Sequence, residues 1–357
     1  MSDAPLCGIA RPRLDCDQEG AYGRRCVQTS LRGDTPNITT PGAVAIRPKA
    51  TRRSAPSSWE RLRHAWRRYH TEYLIFLALM APNLILIAVF VYRPLFLNIY
   101  YSTLNWSLGS STAIRVGLGN YIEWFTDPQS WTVLEVTAIF TVVTVGGSMV
   151  IGLALALVLN ERLHFAAFAR ATVFAPYVLS GVGVGLTWLF IFDPAYGVLG
   201  QILRSLGGAS PQWYLSSPWA LAMVMIVYVW KNLGYTAVIY LAGLQAISHE
   251  VLEAADVDGA SASRKLFSVK LPLLSPTTMF LVVTLMLSSL QSFDIIQIMT
   301  QGGPFGGTTT LMYEVYHDAF VNGRIGYSST AAVILFVILF VMTFFYMRFV
   351  ERKVTYQ

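Results

Sequence analysis

Charged residues are scarce in this 357-residue chain: Asp, Glu, Lys and Arg make up 13% of it, against about 25% in an average soluble protein. With 54% of the residues hydrophobic, a soluble globular class is excluded. A phosphate-binding loop of the form Gly-x4-Gly-Lys-Ser/Thr is missing, so ATP hydrolysis by the chain itself is not expected. Histidine is sparse and dispersed. His64, His70, His164, His249 and His317 make neither a zinc pair on one helix face nor a catalytic triad, which leaves a membrane enzyme without a constellation to rest on. Cys7, Cys16 and Cys26 all fall in the first 26 residues, an odd cluster that suggests no disulfide framework and matches no usual zinc spacing. Internal repeats with paired broken helices are absent too, which argues against a secondary carrier.

What the chain has in quantity is apolar length. Segments 73–92, 133–159, 173–192, 221–244, 279–299 and 330–349 are each long enough to cross a hydrocarbon core of about 30 Å, which takes about 20 apolar residues in a helix. The predicted fold class is therefore all-α and integral to the membrane, with six transmembrane helices. The net charge of +6 is split among sites flanking these runs and forms no single basic face, so no nucleic-acid partner is expected. Arg61, Arg63, Arg67 and Arg68 precede the first run, and Arg162 and Arg170 follow the second. Arg264, Lys265 and Lys270 follow the fourth, and Arg348, Arg352 and Lys353 the sixth, whereas the other loops hold only Arg93, Arg115, Arg204 and Arg324. An excess of cations marks cytoplasmic loops, so both termini are predicted to be cytoplasmic.

Residues 1–58, rich in Pro, Gly, Thr and Arg, read as a disordered cytoplasmic extension without the apolar core of a cleavable signal. In 59–72 the spacing of Trp59, Leu62, Trp66 and Tyr69 predicts an amphipathic interfacial helix. Residues 73–350 form the six-span domain, and 351–357 a short cytoplasmic tail. Pro82 and Pro176 should kink or open their helices. Gly181, Gly183 and Gly185 let another helix approach closely, a packing role favoured over lining a path. The turn formers and aromatics of 93–132 suit a folded outer cap, and "TQGGPFGGTTT" does not join a strand to a phosphate-binding helix.

Among charges within apolar runs, where each costs about 2.5 to 3.5 kcal/mol to insert, two stand out. Lys231 shares a helix face with Gly234 and Tyr235. On a continuous helix Ser288, Gln291 and Asp294 form a polar stripe with Gln297 at its edge. One reading is a structural bridge, Lys231 to Asp294 or to a partner subunit; the other is a hydrated path that exchanges hydrogen bonds with a polar solute. The two are compatible.

The remaining feature is a polar insert at 247–276, too long for an ordinary connection between spans. Ser248 is placed to cap a first helix with Glu250 and Glu253 in its early turns. Gly259 permits a turn, Ser261 caps a second helix, and Pro272 is expected to close it. Glu253, Ala254 and Ala255, then Gly259, Val269, Leu271 and Pro272, occur at the spacing of the EAA loop of binding-protein-dependent ABC importer permeases, which the insert resembles. The likeness runs from about residue 73 to the end through "GLGNY", "LVLNE" and "TQGGP". It is strongest to the carbohydrate-type permeases, especially the glycerol-3-phosphate and glycerophosphodiester group, on "YLAGLQAISHEVLEAADVDGAS", "SFDIIQIMTQGGP" and "YSSTAAVILFVILFVMTFFYMRFV".

That resemblance implies a type I importer fold, a multi-pass protein of the bacterial cell membrane forming half of a channel. Its implied partners are a second homologous permease, two copies of an ATP-binding subunit that carry ATP and Mg, and an extracytoplasmic solute-binding protein. The chain itself would bind no cofactor. Glu253, Ala254, Ala255, Asp256, Gly259, Leu271 and Pro272 would couple it to the ATPases, and Lys231, Tyr235, Ser288, Gln291, Asp294 and Gln297 would line the path. The cargo stays open between glycerophosphates and neutral sugars. In an ion-coupled carrier, the rival class, Asp294 would be the coupling carboxylate.

Overall fold

The structure, a computed structural model, describes residues 58–161 and 165–350, with side chains for 72–161 and 165–348. The expectations for the N-terminal extension and its cysteines, for the interfacial side chains of 59–71, for Arg162 and for the 351–357 tail lie outside these. The chain divides into two compact units, Met1–His70 and Thr71–Gln357. Of the first, helical backbone is described from Ser58 onward.

The described chain is helical apart from one two-residue ladder. In order it runs α1 (Ser58–Ile87), a π turn (Ala88–Tyr92), α2 (Arg93–Tyr101), β1 (Leu104–Asn105), β2 (Ile114–Arg115), α3 (Gly119–Thr126), α4 (Pro128–Leu159), α5 (Ala166–Val178) and α6 (Gly181–Ile191). It continues through α7 (Val198–Ser205), α8 (Ser217–Ala246), α9 (His249–Val257), α10 (Ala262–Arg264), a second π turn (Lys265–Lys270), α11 (Leu271–Leu273) and α12 (Ser275–Leu290). Last come α13 (Asp294–Met299), α14 (Leu311–Tyr316), a third π turn (His317–Val321) and α15 (Ile325–Val350). Among the described residues, five helical stretches are long and apolar enough to cross a membrane: Glu72–Tyr101, Pro128–Leu159, Ser217–Ala246, Ser275–Met299 and Ile325–Arg348. There are six if α5 and α6 count as one.

The run at 173–192 is interrupted beside Pro176, where a kink or opening was expected. Here α5 stops two residues after Pro176, and α6 leaves Gly181 at 98° to it. The ring of Pro176 removes a donor from the last turn of α5, and Leu179 and Ser180 then take extended backbone angles. Pro82, by contrast, is carried inside α1.

Two other prolines share a different solution. Pro94 and Pro272 each stand second in a helix that follows a π turn. In both places the residue before the proline donates five residues back, Arg93 N–H to Ala88 O and Leu271 N–H to Leu266 O. The wider turn takes the carbonyl that the proline ring would strike out of its way. Pro272 therefore does not close the second helix of the insert. The chain stays helical through α11 and Leu274 into α12.

Three apolar clusters hold the domain. Phe140, Phe192, Met223, Val227, Tyr228 and Ile296 join α4, α6, α8 and α13. Ala156, Tyr240, Leu244, Leu274 and Leu281 join α4, α8 and α12, and Trp124, Val133, Leu290, Leu311 and Ala331 join α3, α4, α12, α14 and α15. Small residues set the closest crossings. A methyl added at Gly234 would lie 2.0 Å from Val173 O, so α5 and α8 meet backbone to backbone. Segment 93–132 is folded as its composition implied: Asn120 Nδ2 donates to Ser102 O and Leu104 O, both at 2.9 Å, and Trp124 is wholly buried. Glu72–Tyr101 differs from every other apolar stretch, since its apolar window buries no residue.

Candidate functional site

The polar insert leaves α8 at Ile247 and rejoins the apolar core at Leu274. Ser248 adopts the extended backbone of a cap, though its hydroxyl makes no capping bond; Ser261 does cap, accepting from Arg264 N–H at 3.4 Å. Between them Gly259 has φ +71°, the left-handed conformation that ends α9: Gly259 N–H donates to Asp256 O and Ala260 N–H to Ala255 O. Across this turn Lys265 Nζ reaches Asp256 Oδ1 at 2.5 Å, tying the second arm to the first. Glu253 and Ala254 face solvent, as does Val257, which is 88% exposed beside the turn. Leu252, on the opposite side of α9, packs against the cluster that joins α4, α8 and α12.

The expected path residues fall into two groups. Tyr235, on α8, donates to Thr284 Oγ1 at 3.4 Å and stacks on Tyr177 of α5, ring centroids 4.8 Å apart. Two turns earlier Tyr228 donates to Ser288 Oγ at 3.0 Å. Ser288, Gln291 and Asp294 all lie exposed, but not on a continuous helix: α12 ends at Leu290, and the backbone of Gln291–Phe293 leaves helical geometry before α13 begins at Asp294. Gln297, on α13, is half-buried, and its Oε1 meets no protein donor.

Lys231 and Asp294 do not form the bridge that was one reading of them. Lys231 Nζ donates instead to Tyr177 O at 3.1 Å. Asp294 lies against Gly181, where a methyl would come within 2.1 Å of Oδ2, and one turn on Gly185 packs on Ile298. Gly181 and Gly185 thus serve the close approach of α6 to α13, while Gly183 faces open space.

Sequence reasoning missed Tyr177, Tyr228 and Thr284. Thr284 lies four residues before Ser288, so extending the polar stripe backward by one turn would have found it. A polar cavity of about 440 Å³ was missed as well; it is bounded by Asp127, Glu314, His317, Asp318, Arg324 and Tyr327, at the ends of two apolar stretches. Glu314 is buried there and accepts from Trp124 Nε1–H at 3.4 Å. Burial, and then the neighbouring Asp318, push its carboxyl up to about 8.

The family model described as "binding-protein-dependent transport system inner membrane component" matches residues 148–356. The chain belongs to this family. As an ABC importer permease it is 38% identical over 281 residues to the sn-glycerol-3-phosphate transport system permease protein UgpA of Agrobacterium fabrum, a match that covers 78% of the chain and 95% of the relative. It is 34% identical over 281 residues to the sulfoquinovosyl glycerol transport system permease protein SmoG of the same organism, covering 78% and 91%. Among solved structures it is similar to a bacterial ABC transporter involved in the import of the acidic polysaccharide alginate. There the TM-score is 0.70 at 20% identity, over 81% of this permease and 99% of that chain, and the likeness shows the fold. The permease is thus a multi-pass membrane protein of the transport class.

Proposed function

We infer that this permease crosses the bacterial cell membrane six times with both termini cytoplasmic, pairs with a second permease, and forms half of a path for a small polar solute. Two ATP-binding subunits, carrying ATP and Mg, dock on the insert, and a solute-binding protein delivers cargo at the outer face. The observation that carries this reading is the insert itself. A helix, a left-handed Gly259 and a second helical arm stand outside every apolar stretch, with Glu253 presented to a partner. Asp256 pairs with Lys265 across the bend, and Leu271 and Pro272 return the second arm to the core with Ala254 and Ala255 on the docking helix.

Lys231, Tyr235, Ser288, Gln291, Asp294 and Gln297 border the path. Glycerol-3-phosphate or a glycerophosphodiester is the cargo best supported, because two relatives are named for solutes that contain glycerol. A neutral sugar or oligosaccharide is the second reading, favoured by the flat stacked face of Tyr177 and Tyr235.

The test is solute-stimulated ATPase activity of the reconstituted complex carrying Glu253→Ala or Gly259→Pro, with subunit assembly measured separately. A loss of at least tenfold with assembly retained is expected; full stimulation in both variants would sink the coupling role. An ion-coupled carrier would lose uptake when the proton gradient collapses, whereas the importer keeps it until the ATPase partner is inactivated. Uptake of labelled glycerol-3-phosphate against labelled maltose, each with the cognate binding protein, decides the cargo.

A further inference from the structure

Lys231 and Asp294, both inside apolar stretches, reach the same place from different helices. Between α5 and α6 the chain turns through 98° at Leu179 and Ser180. Such a break strands carbonyls at the end of the first half-helix and N–H groups at the start of the second, where they carry partial negative and partial positive charge. In water the solvent satisfies them; in an apolar setting the protein must.

The α5 end is met by a cation. Lys231 donates to Tyr177 O, a carbonyl that the turn deprives of its helical partner, and its ammonium lies 5.5 Å from the centroid of the Tyr177 ring. The α6 end is met by an anion. Within α6 the first backbone donor to find a carbonyl is Val184 N–H, on Ser180 O at 3.0 Å, and the Ser180 hydroxyl caps nothing. Against the first residue of that helix, Gly181, lies the Asp294 carboxylate, in the space that a side chain there would fill. Each charge therefore stands at the helix end of opposite sign. This accounts for two charged residues in apolar helices that form no ion pair with one another.

We propose that Lys231 and Asp294 are opposed charge caps that hold the broken third span in its bent form, positioning residues through which α8 and α13 control the wall of the path. The geometric part stands on the structure alone; its consequence for transport rests on the importer reading. Because the caps come from two different helices, displacement of either one uncovers one end of the break.

The test uses the full complex purified through this chain and reconstituted in bilayers, with spin labels at the exposed positions Phe168 on α5 and Phe190 on α6. Pulsed dipolar spectroscopy then reads the bend as a distance distribution. Lys231→Met and Asp294→Asn are each expected to shift or broaden it and to lower maximal uptake at least fivefold, with half-saturation by loaded binding protein changed less than twofold. Lys231→Arg, which keeps a cationic donor, restores both readouts. Gly181→Ala retains both charges but pushes the carboxylate away, and is expected to broaden the distribution even where Lys231→Met does not assemble. An unchanged distribution in Asp294→Asn and Gly181→Ala overturns the proposal. So does a raised half-saturation with an unchanged distance in Lys231→Met, which would make that lysine a solute contact. Uptake that ignores the ATPase partner would refute the importer reading and leave the distance result standing.

Discussion

The polar insert and the bent α5–α6 pair both depend on a bend, and both place an acid and a base beside it, yet they use the charges in opposite ways. In the insert Asp256 and Lys265 find each other at 2.5 Å with much of their surface open to solvent. At the break Lys231 and Asp294 form no ion pair: Lys231 donates to the Tyr177 carbonyl, and the Asp294 carboxylate lies against Gly181 at the start of α6. Where solvent completes every hydrogen bond, opposite charges pair with small effect. Where it does not, unpaired peptide groups compete for the charges and win them.

The comparison breaks most severely at the α5–α8 crossing that anchors the bend. Gly234→Leu places its first side-chain atom 2.0 Å from Val173 O, and backbone cannot yield as a side chain can. A destabilisation on the order of 3 kcal/mol or more is expected, read as a lowered midpoint in thermal unfolding of the detergent-solubilised protein.

Glu314 offers an intermediate setting, buried but outside the apolar stretches. Its carboxyl keeps a proton up to about 8, whereas the unfolded chain releases it near the ordinary 4.5. Between those values the native state binds more protons than the unfolded one, so stability falls as pH rises through that window. Glu314→Gln should flatten the fall between pH 5 and 8 and raise the unfolding midpoint at pH 8; parallel curves for the two proteins would refute it. The mildest case is Asp256→Ala in the insert. Removing one member of that exposed pair should change stability by about 0.5 kcal/mol or less, and a larger change would show that the pair braces the turn at Gly259.

The two regions were not equally legible. The insert could be read from its polarity, the capping Ser261 and its central glycine, because each of these acts within a few residues. Ser248 takes the cap position without the capping bond, and Pro272 misled for a reason that is local too: a π turn absorbs its ring, and hydrophobic spacing does not reveal a one-residue change in hydrogen-bond register. The apolar lengths likewise marked where helices run. The break at Leu179–Ser180 was only hinted at by Pro176, because what stabilises it comes from Lys231 and Asp294, more than fifty residues and more than a hundred residues further along the chain. The polar stripe of α12 was drawn on an unbroken helix, and it survived the interruption at Gln291–Phe293 only because all three of its residues stay exposed. The cavity around Glu314 left no periodic signal, since its walls come from four separate elements.

The foothold of Leu252 has a mechanical consequence. That side chain packs on the cluster that joins α4, α8 and α12, so on the importer reading a push on the exposed face of α9 would be felt by all three long helices at once, as by a crank rather than a tether. Of these, α8 carries Lys231 and would pass the stroke on to the end of α5.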